Sequence, residues 1–118
     1  MMIIAKILVG LVAFLHVHFL ILEMFLWDKP YGLKTFGHNR EYAKASKTLA
    51  MSQGLYNGFL AAGLIWGLVA GQAGHSIILF FLVCIIIAGI FGAITATRKI
   101  LYYQALPALL ALMFVVLS

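Results

Sequence analysis

The chain has 118 residues and a net charge of +5, and 65% of its residues are hydrophobic. Only 9% are charged, whereas soluble domains carry about 25% charged residues. This composition excludes an ordinary soluble domain and predicts an integral membrane protein.

Four apolar stretches are each long enough to cross a bilayer core of about 30 Å. They cover approximately residues 7–27, 50–70, 76–96 and 100–117. None alternates polar and apolar side chains as barrel strands do, and the later turns are short enough to force antiparallel neighbours. The predicted fold is all-α. It consists of one transmembrane domain, residues 1–118, forming an antiparallel up-down four-helix bundle with a longer first cytoplasmic loop.

The first stretch begins close to Met1, where a signal peptide would lie. It is longer than the apolar core of a signal peptide, about 7–15 residues, and it lacks a small-residue cleavage pattern. We therefore expect it to remain as a helix.

The connection between the first two stretches, residues 28–49, opens with KPYG, a turn signal that ends the first helix. Residues 40–47 are rich in helix formers. We expect this segment either to lie on the membrane surface or to extend the second transmembrane helix. In the last stretch, Pro107 predicts a kink.

Basic residues are distributed unevenly between the two sides of the predicted bundle. One side has Lys6 alone, and the other has Lys29, Lys34, Arg40, Lys44, Lys47, Arg98 and Lys99. Because Lys and Arg accumulate in cytoplasmic loops, both termini are predicted to lie outside. The same charges meet anionic lipid headgroups, so we expect membrane lipids and not nucleic acid as partners.

Glu23 is a carboxylate inside an otherwise apolar stretch, seven residues after His16. Ionisable groups at membrane depth are costly and usually mark a function. The two residues share a helical face but lie about 10.5 Å apart along the axis, which excludes a direct catalytic dyad. They could still hold opposite ends of one substrate. The alternatives are a hydrogen-bonded structural acid and an ordinary interior histidine.

Depths estimated from the helical rise place the polar groups of all four stretches in one cytoplasmic layer. This layer predicts an intramembrane cavity open to the cytoplasmic side, with Glu23 and His16 as catalytic residues. The predicted ligand-binding residues are Gln53, Asn57, Tyr56, Trp27, Thr95 and Gln104. The alternative for Gln53 and Asn57 is hydrogen bonding between helices, and for Trp27 it is an interfacial anchor.

His16 and His18 have the spacing of a metal motif, but two residues on a helix are rotated by about 200°, so the rings point apart. Cys84 is the only cysteine, so it has no disulfide partner within the chain. No metal and no cofactor are predicted.

Glycines recur every four residues in the second stretch, at Gly54 and Gly58 and again at Gly63, Gly67 and Gly71. Such spacing lets helix backbones approach closely. Packing within the chain is the first interpretation, and a homodimer through the second helix is the alternative.

The second stretch contains the run QGLYNGFLAAG at residues 53–63, preceded by His16, Glu23 and Trp27. Two further runs follow, AGIFG and QALPA. Together they resemble a small bacterial membrane family, the domain of unknown function thirteen-oh-four, over nearly the whole chain. The resemblance implies a four-helix protein of the bacterial inner membrane and brings no established activity with it.

The chain departs from the pattern of that family at two positions. Ser52 stands where Asn is expected, and His18 stands where an aromatic residue is more usual. The second departure argues against a role of His18 as a family trait.

Three functional classes remain open. The first is binding or acid–base processing of a small hydrophobic or amphipathic molecule, with Glu23 as the acid or base. The second is a proton-coupled exporter of small molecules. The third is a structural or accessory membrane subunit, and whether the protein is an enzyme stays undecided.

Overall fold

A computed structural model describes all 118 residues as an all-α protein without strands. Its five helices are α1 (Ile3–Met24), α2 (Pro30–Phe36), α3 (Arg40–Val69), α4 (Gly74–Thr95) and α5 (Leu106–Leu117). A 3-10 turn, Gly71–Ala73, precedes α4, and a π-helical turn, Leu101–Ala105, precedes α5. The chain divides into two compact units, residues 1–15 with 60–118 and residues 16–59, which we call the large and the small unit.

Two segments, Ile3–Met24 and Gly71–Thr95, are long and apolar enough to cross a membrane. Leu101–Leu117 is apolar but shorter. The apolar part of α3 does not reach the same hydropathy, because Gln53, Tyr56 and Asn57 lie within it.

The end of the first helix differs from the sequence-based boundary. Helix α1 ends at Met24, three residues before the predicted end at residue 27. The backbone N–H groups of Phe25 and Leu26 both donate to the carbonyl of Ile21, at 3.0 and 3.2 Å, which closes the last turn.

Helix α2 replaces the turn that was predicted at residues 29–32. Pro30 occupies the first turn of α2, where its missing N–H costs nothing and its fixed φ suits a helix. Gly37 ends the helix in the left-handed conformation, with φ 68°, and its N–H donates to the carbonyl of Leu33. The helix has seven residues, too few for its periodicity to be visible in the sequence.

The helix expected over residues 40–47 is the beginning of α3, so it extends the second long helix. Asn39 caps it, since its Oδ1 accepts the backbone N–H of Tyr42 at 2.8 Å.

An ion pair connects the segment before α2 to α3. Nζ of Lys47 lies 3.1 Å from Oδ2 of Asp28, and both side chains are partly exposed. The hydrogen bond from Lys47 holds the pKa of the Asp28 carboxyl below its usual range.

The π-helical turn lies where the kink was expected. Pro107 has no N–H to donate to the carbonyl four residues earlier, and the N–H of Leu106 donates instead to Leu101, five residues earlier. The helix is therefore widened over the turn before Pro107.

The large unit has a continuous apolar core. Its fully buried side chains include Val9, Leu64, Ile78, Leu82, Ile85 and Val115. Gly63 packs against the ring of Phe81, and Gly67 packs against Ile78. These glycines therefore serve packing within the chain.

The small unit is held by equally close contacts. A methyl group on Gly54 would lie 2.5 Å from Cγ of Met24, and one on Gly58 would lie 2.7 Å from Cδ1 of Leu20. Helices α1 and α3 therefore approach closely along this face of α3.

We expect Gly63→Ala to destabilise the protein relative to Gly10→Ala. Both glycines are helical, so the gain in helix propensity is the same, but the methyl group on Gly63 would collide with Phe81 whereas nothing lies within 4 Å of the one on Gly10. Overpacking costs about 1–3 kcal/mol. Equilibrium unfolding in detergent measures the difference, and equal stabilities of the two variants would contradict the packing.

We expect the interaction between Asp28 and Lys47 to stabilise the folded chain at neutral pH and to vanish in acid. Because the pKa of Asp28 is lower in the folded state, the stabilisation is complete above the unfolded pKa, about 3.9, and is lost as pH falls through the folded pKa. A double-mutant cycle with Asp28→Asn and Lys47→Met, measured at neutral and acidic pH, checks this. A coupling that stays the same at both pH values would refute it.

Candidate functional site

Glu23 and Asn57 form a hydrogen-bonded pair between α1 and α3. Nδ2 of Asn57 donates to Oε1 of Glu23 at 2.5 Å, and both residues are partly buried. Gly54 and Gly58 flank Asn57 and bring the backbone of α3 close to α1. The pair therefore depends on glycine packing, because larger residues at these positions would separate the helices.

Glu23 is partly buried. Asn57 donates to its Oε1, and the chain contains no buried polar side-chain atom that lacks a hydrogen-bond partner. A carboxyl group accepts hydrogen bonds through both oxygens, so its chemistry suits a ligand with N–H or O–H donors.

His16 is completely buried in the structure. Its ring meets Phe19 edge to face, with centroids 5.2 Å apart. This environment makes His16 a packed interior residue two helical turns from Glu23.

Gln53 and Tyr56 lie on the surface of the small unit. Gln53 is exposed one turn before Asn57, and Tyr56 is 54% exposed. These two side chains are therefore exposed on the small unit, and the intramembrane cavity open to the cytoplasmic side stays a prediction.

Thr95 and Gln104 belong to the large unit, whereas Glu23 and Asn57 belong to the small one. Thr95 is exposed, and its Oγ1 donates to the carbonyl of Phe91 at 2.8 Å within its own helix. Gln104 is partly buried in the π-helical turn.

Trp27 belongs to an aromatic cluster that was not predicted from the sequence. The cluster consists of Trp27, Phe36, His38 and Tyr42, with ring centroids 4.5 Å apart between Trp27 and His38. Nε1 of Trp27 donates to Oγ of Ser46 at 3.0 Å. The sequence signal for this cluster is the concentration of aromatic residues and histidine within residues 28–49. Trp27 thus anchors the loop to α3.

A cavity of about 420 Å³, open to the surface, lies in the large unit. The exposed residues Lys6, Gln72 and His75 line it beside glycine backbone. None of the predicted site residues contributes to it. No group of three His, Cys, Asp or Glu side chains is placed to hold a metal ion.

Comparisons with known proteins agree with the resemblance noted in the sequence. Residues 10–116 match the family described as protein of unknown function (DUF1304). The chain is 32% identical over 114 residues to the uncharacterized protein YpaA of Lactococcus lactis subsp. lactis (strain IL1403), covering 95% of this chain and 96% of that protein. No solved structure matches. Because the match extends over nearly the whole chain, the protein belongs to the DUF1304 family.

Proposed function

We propose that this protein is an integral membrane protein that binds a small amphipathic molecule at the pair formed by Glu23 and Asn57. The observation that carries the proposal is a partly buried carboxyl group whose Oε1 is held by Asn57, beside the exposed side chains of Gln53 and Tyr56. A partly buried acid that accepts hydrogen bonds suits a ligand whose polar end donates them and whose body is apolar.

The proposed membrane arrangement has four crossing segments in an antiparallel up-down bundle, located in the bacterial inner membrane. Exposed apolar side chains support it on α4, where Phe80, Ile87, Phe91 and Ile94 are 61–79% exposed. Exposure of such a surface to water is unfavourable, whereas its contact with lipid is not. The basic residues of the first loop support a cytoplasmic position for this loop, with both termini outside.

The chemistry of Glu23 follows from its surroundings. In a site of low dielectric constant a carboxylate needs hydrogen-bond donors, and Asn57 supplies one of them. An ammonium, hydroxyl or amide N–H of the ligand would supply a further one. A carboxyl oxygen can accept a proton from a bound molecule and return it to another atom, which is the chemistry that acid–base processing requires.

The residues beside the pair define the rest of the proposed site. Gln53 and Tyr56 are exposed on α3 within about one helical turn of Asn57, where they can contact the ligand from the surface. The site is therefore proposed as a shallow, laterally open one, and neither His16 nor Thr95 is needed for it.

We expect Glu23→Gln to weaken ligand binding by about tenfold or more, because a charge-assisted hydrogen bond, worth about 1.5–3 kcal/mol, is replaced by a neutral one. Native mass spectrometry of gently purified protein, with identification of co-purified small molecules, measures the occupancy. Glu41→Gln is the matched control, since Glu41 is an exposed acid of the same unit.

A defined molecule that is present in the wild type and the control but absent from Glu23→Gln would support the proposal. Equal occupancy in all three proteins would refute it. If the molecule is bound and also moves across proteoliposome membranes in response to a proton gradient, the protein is an exporter. A protein that carries no molecule in any form is better explained as a structural subunit.

We expect Asn57→Leu to destabilise the wild type more than it destabilises the Glu23→Leu variant. In the wild type, Asn57→Leu removes the hydrogen-bond donor of Glu23 Oε1, which costs about 1–3 kcal/mol of stability. In the Glu23→Leu variant this cost is absent, because the carboxyl group is already missing. Unfolding in detergent checks the coupling independently of any ligand. Additive effects would show that the two side chains do not interact.

A further inference from the structure

The large unit contains basic side chains and no acidic ones. The acidic residues of the chain are Glu23, Asp28 and Glu41, all within residues 16–59. The large unit holds Lys6, Arg98 and Lys99. No Asp or Glu side chain lies in this unit, so the sum of its side-chain charges is positive, which favours anionic ligands.

The cavity of the large unit places one of these cations beside hydrogen-bonding groups. Lys6 of α1 lines it together with Gln72 and His75, which lie in and after the turn between α3 and α4. Its volume of about 420 Å³ is within the range of about 300–1,000 Å³ that small-molecule sites occupy.

Glycines create the space. Gly67, Gly71 and Gly74 line the cavity and contribute no side chains to fill it. Gly71 has φ 70°, a conformation that favours glycine, and the backbones of Gly67 and Gly74 are in direct contact. The opening is therefore built into the backbone of the turn.

His75 is held in a defined orientation at this cavity. Its Nε2 lies 3.2 Å from the carbonyl oxygen of Val115, and because a carbonyl only accepts, Nε2 carries the proton of that hydrogen bond. The ring is thus fixed against α5, and Nδ1 remains as the second polar atom of a positioned side chain.

We propose that this cavity binds a phosphate group, with the Lys6 ammonium as its counter-charge and the Gln72 amide as a hydrogen-bond donor. Lysine is a common phosphate ligand because it acts as a compact positive charge. The cavity lies where the apolar segments Ile3–Met24 and Gly71–Thr95 begin, which is the level at which headgroups meet a membrane protein. The phosphate can belong to an anionic phospholipid or to a free phosphate compound.

The experiment measures binding to purified full-length protein in neutral detergent. Native mass spectrometry gives the occupancy by phosphatidylglycerol and by phosphatidylcholine, and inorganic phosphate is titrated in a thermal-shift assay. The test variant is Lys6→Glu and the matched control is Lys99→Glu, which reverses the charge of an exposed lysine outside the cavity. Melting temperatures without added ligand verify that both variants fold.

We expect an anionic ligand to bind the wild type and Lys99→Glu equally and to bind Lys6→Glu at least about fivefold more weakly, given about 1 kcal/mol per basic residue near anionic headgroups. If Lys6→Glu loses only the binding of phosphatidylglycerol, the ligand is a lipid headgroup. If Lys6→Glu loses the thermal-shift response to inorganic phosphate, the ligand is a free phosphate compound. Equal anion binding by the two variants would overturn the proposal. So would equal affinity for phosphatidylglycerol and phosphatidylcholine without any response to phosphate.

Discussion

Close approach of helices at glycine-lined faces is the constraint on which the other features depend. Inside a membrane the lipid chains are as apolar as the side chains, so helix association relies on van der Waals contact and hydrogen bonds, both of which require short distances. Gly54 and Gly58 provide that proximity in the small unit, and Gly63 and Gly67 provide it in the large unit. Where the backbones approach, short polar side chains can reach across.

The hydrogen bond between Glu23 and Asn57 is a structural result of this proximity. It joins residues 34 positions apart, and Asn57 gives the partly buried acid a hydrogen-bond donor. The exposed Gln53 and Tyr56 belong to the same small unit, so the proposed site lies beside groups that a ligand can reach.

Parts of this arrangement could be predicted from sequence and others could not. The helical faces and depths of Glu23 and Asn57 indicated that the two side chains would converge, because depth along a straight helix follows from residue number alone. Gln53 was predicted to bind the same ligand as Asn57 but is more exposed, because four residues turn a helix by about 400° and so do not place the two side chains on the same line. Helix α2 was not predicted because it has only seven residues and begins within KPYG, which is a turn signal. The aromatic cluster around Trp27 was not predicted because Phe36 and His38 reach Trp27 only through the position of α2.

The sequence by itself determined the helical class, the apolar segments, the charge asymmetry and the family, since each of these follows from composition and local order. Only the tertiary structure decided which polar groups meet and which face outward. It joined Oε1 of Glu23 to Asn57, enclosed His16 completely, and opened a cavity beside Lys6 where glycines leave space at a turn. The physical reason is that apolar periodicity specifies which residues avoid water, whereas contact between two side chains depends on how closely and at what angle their helices pack.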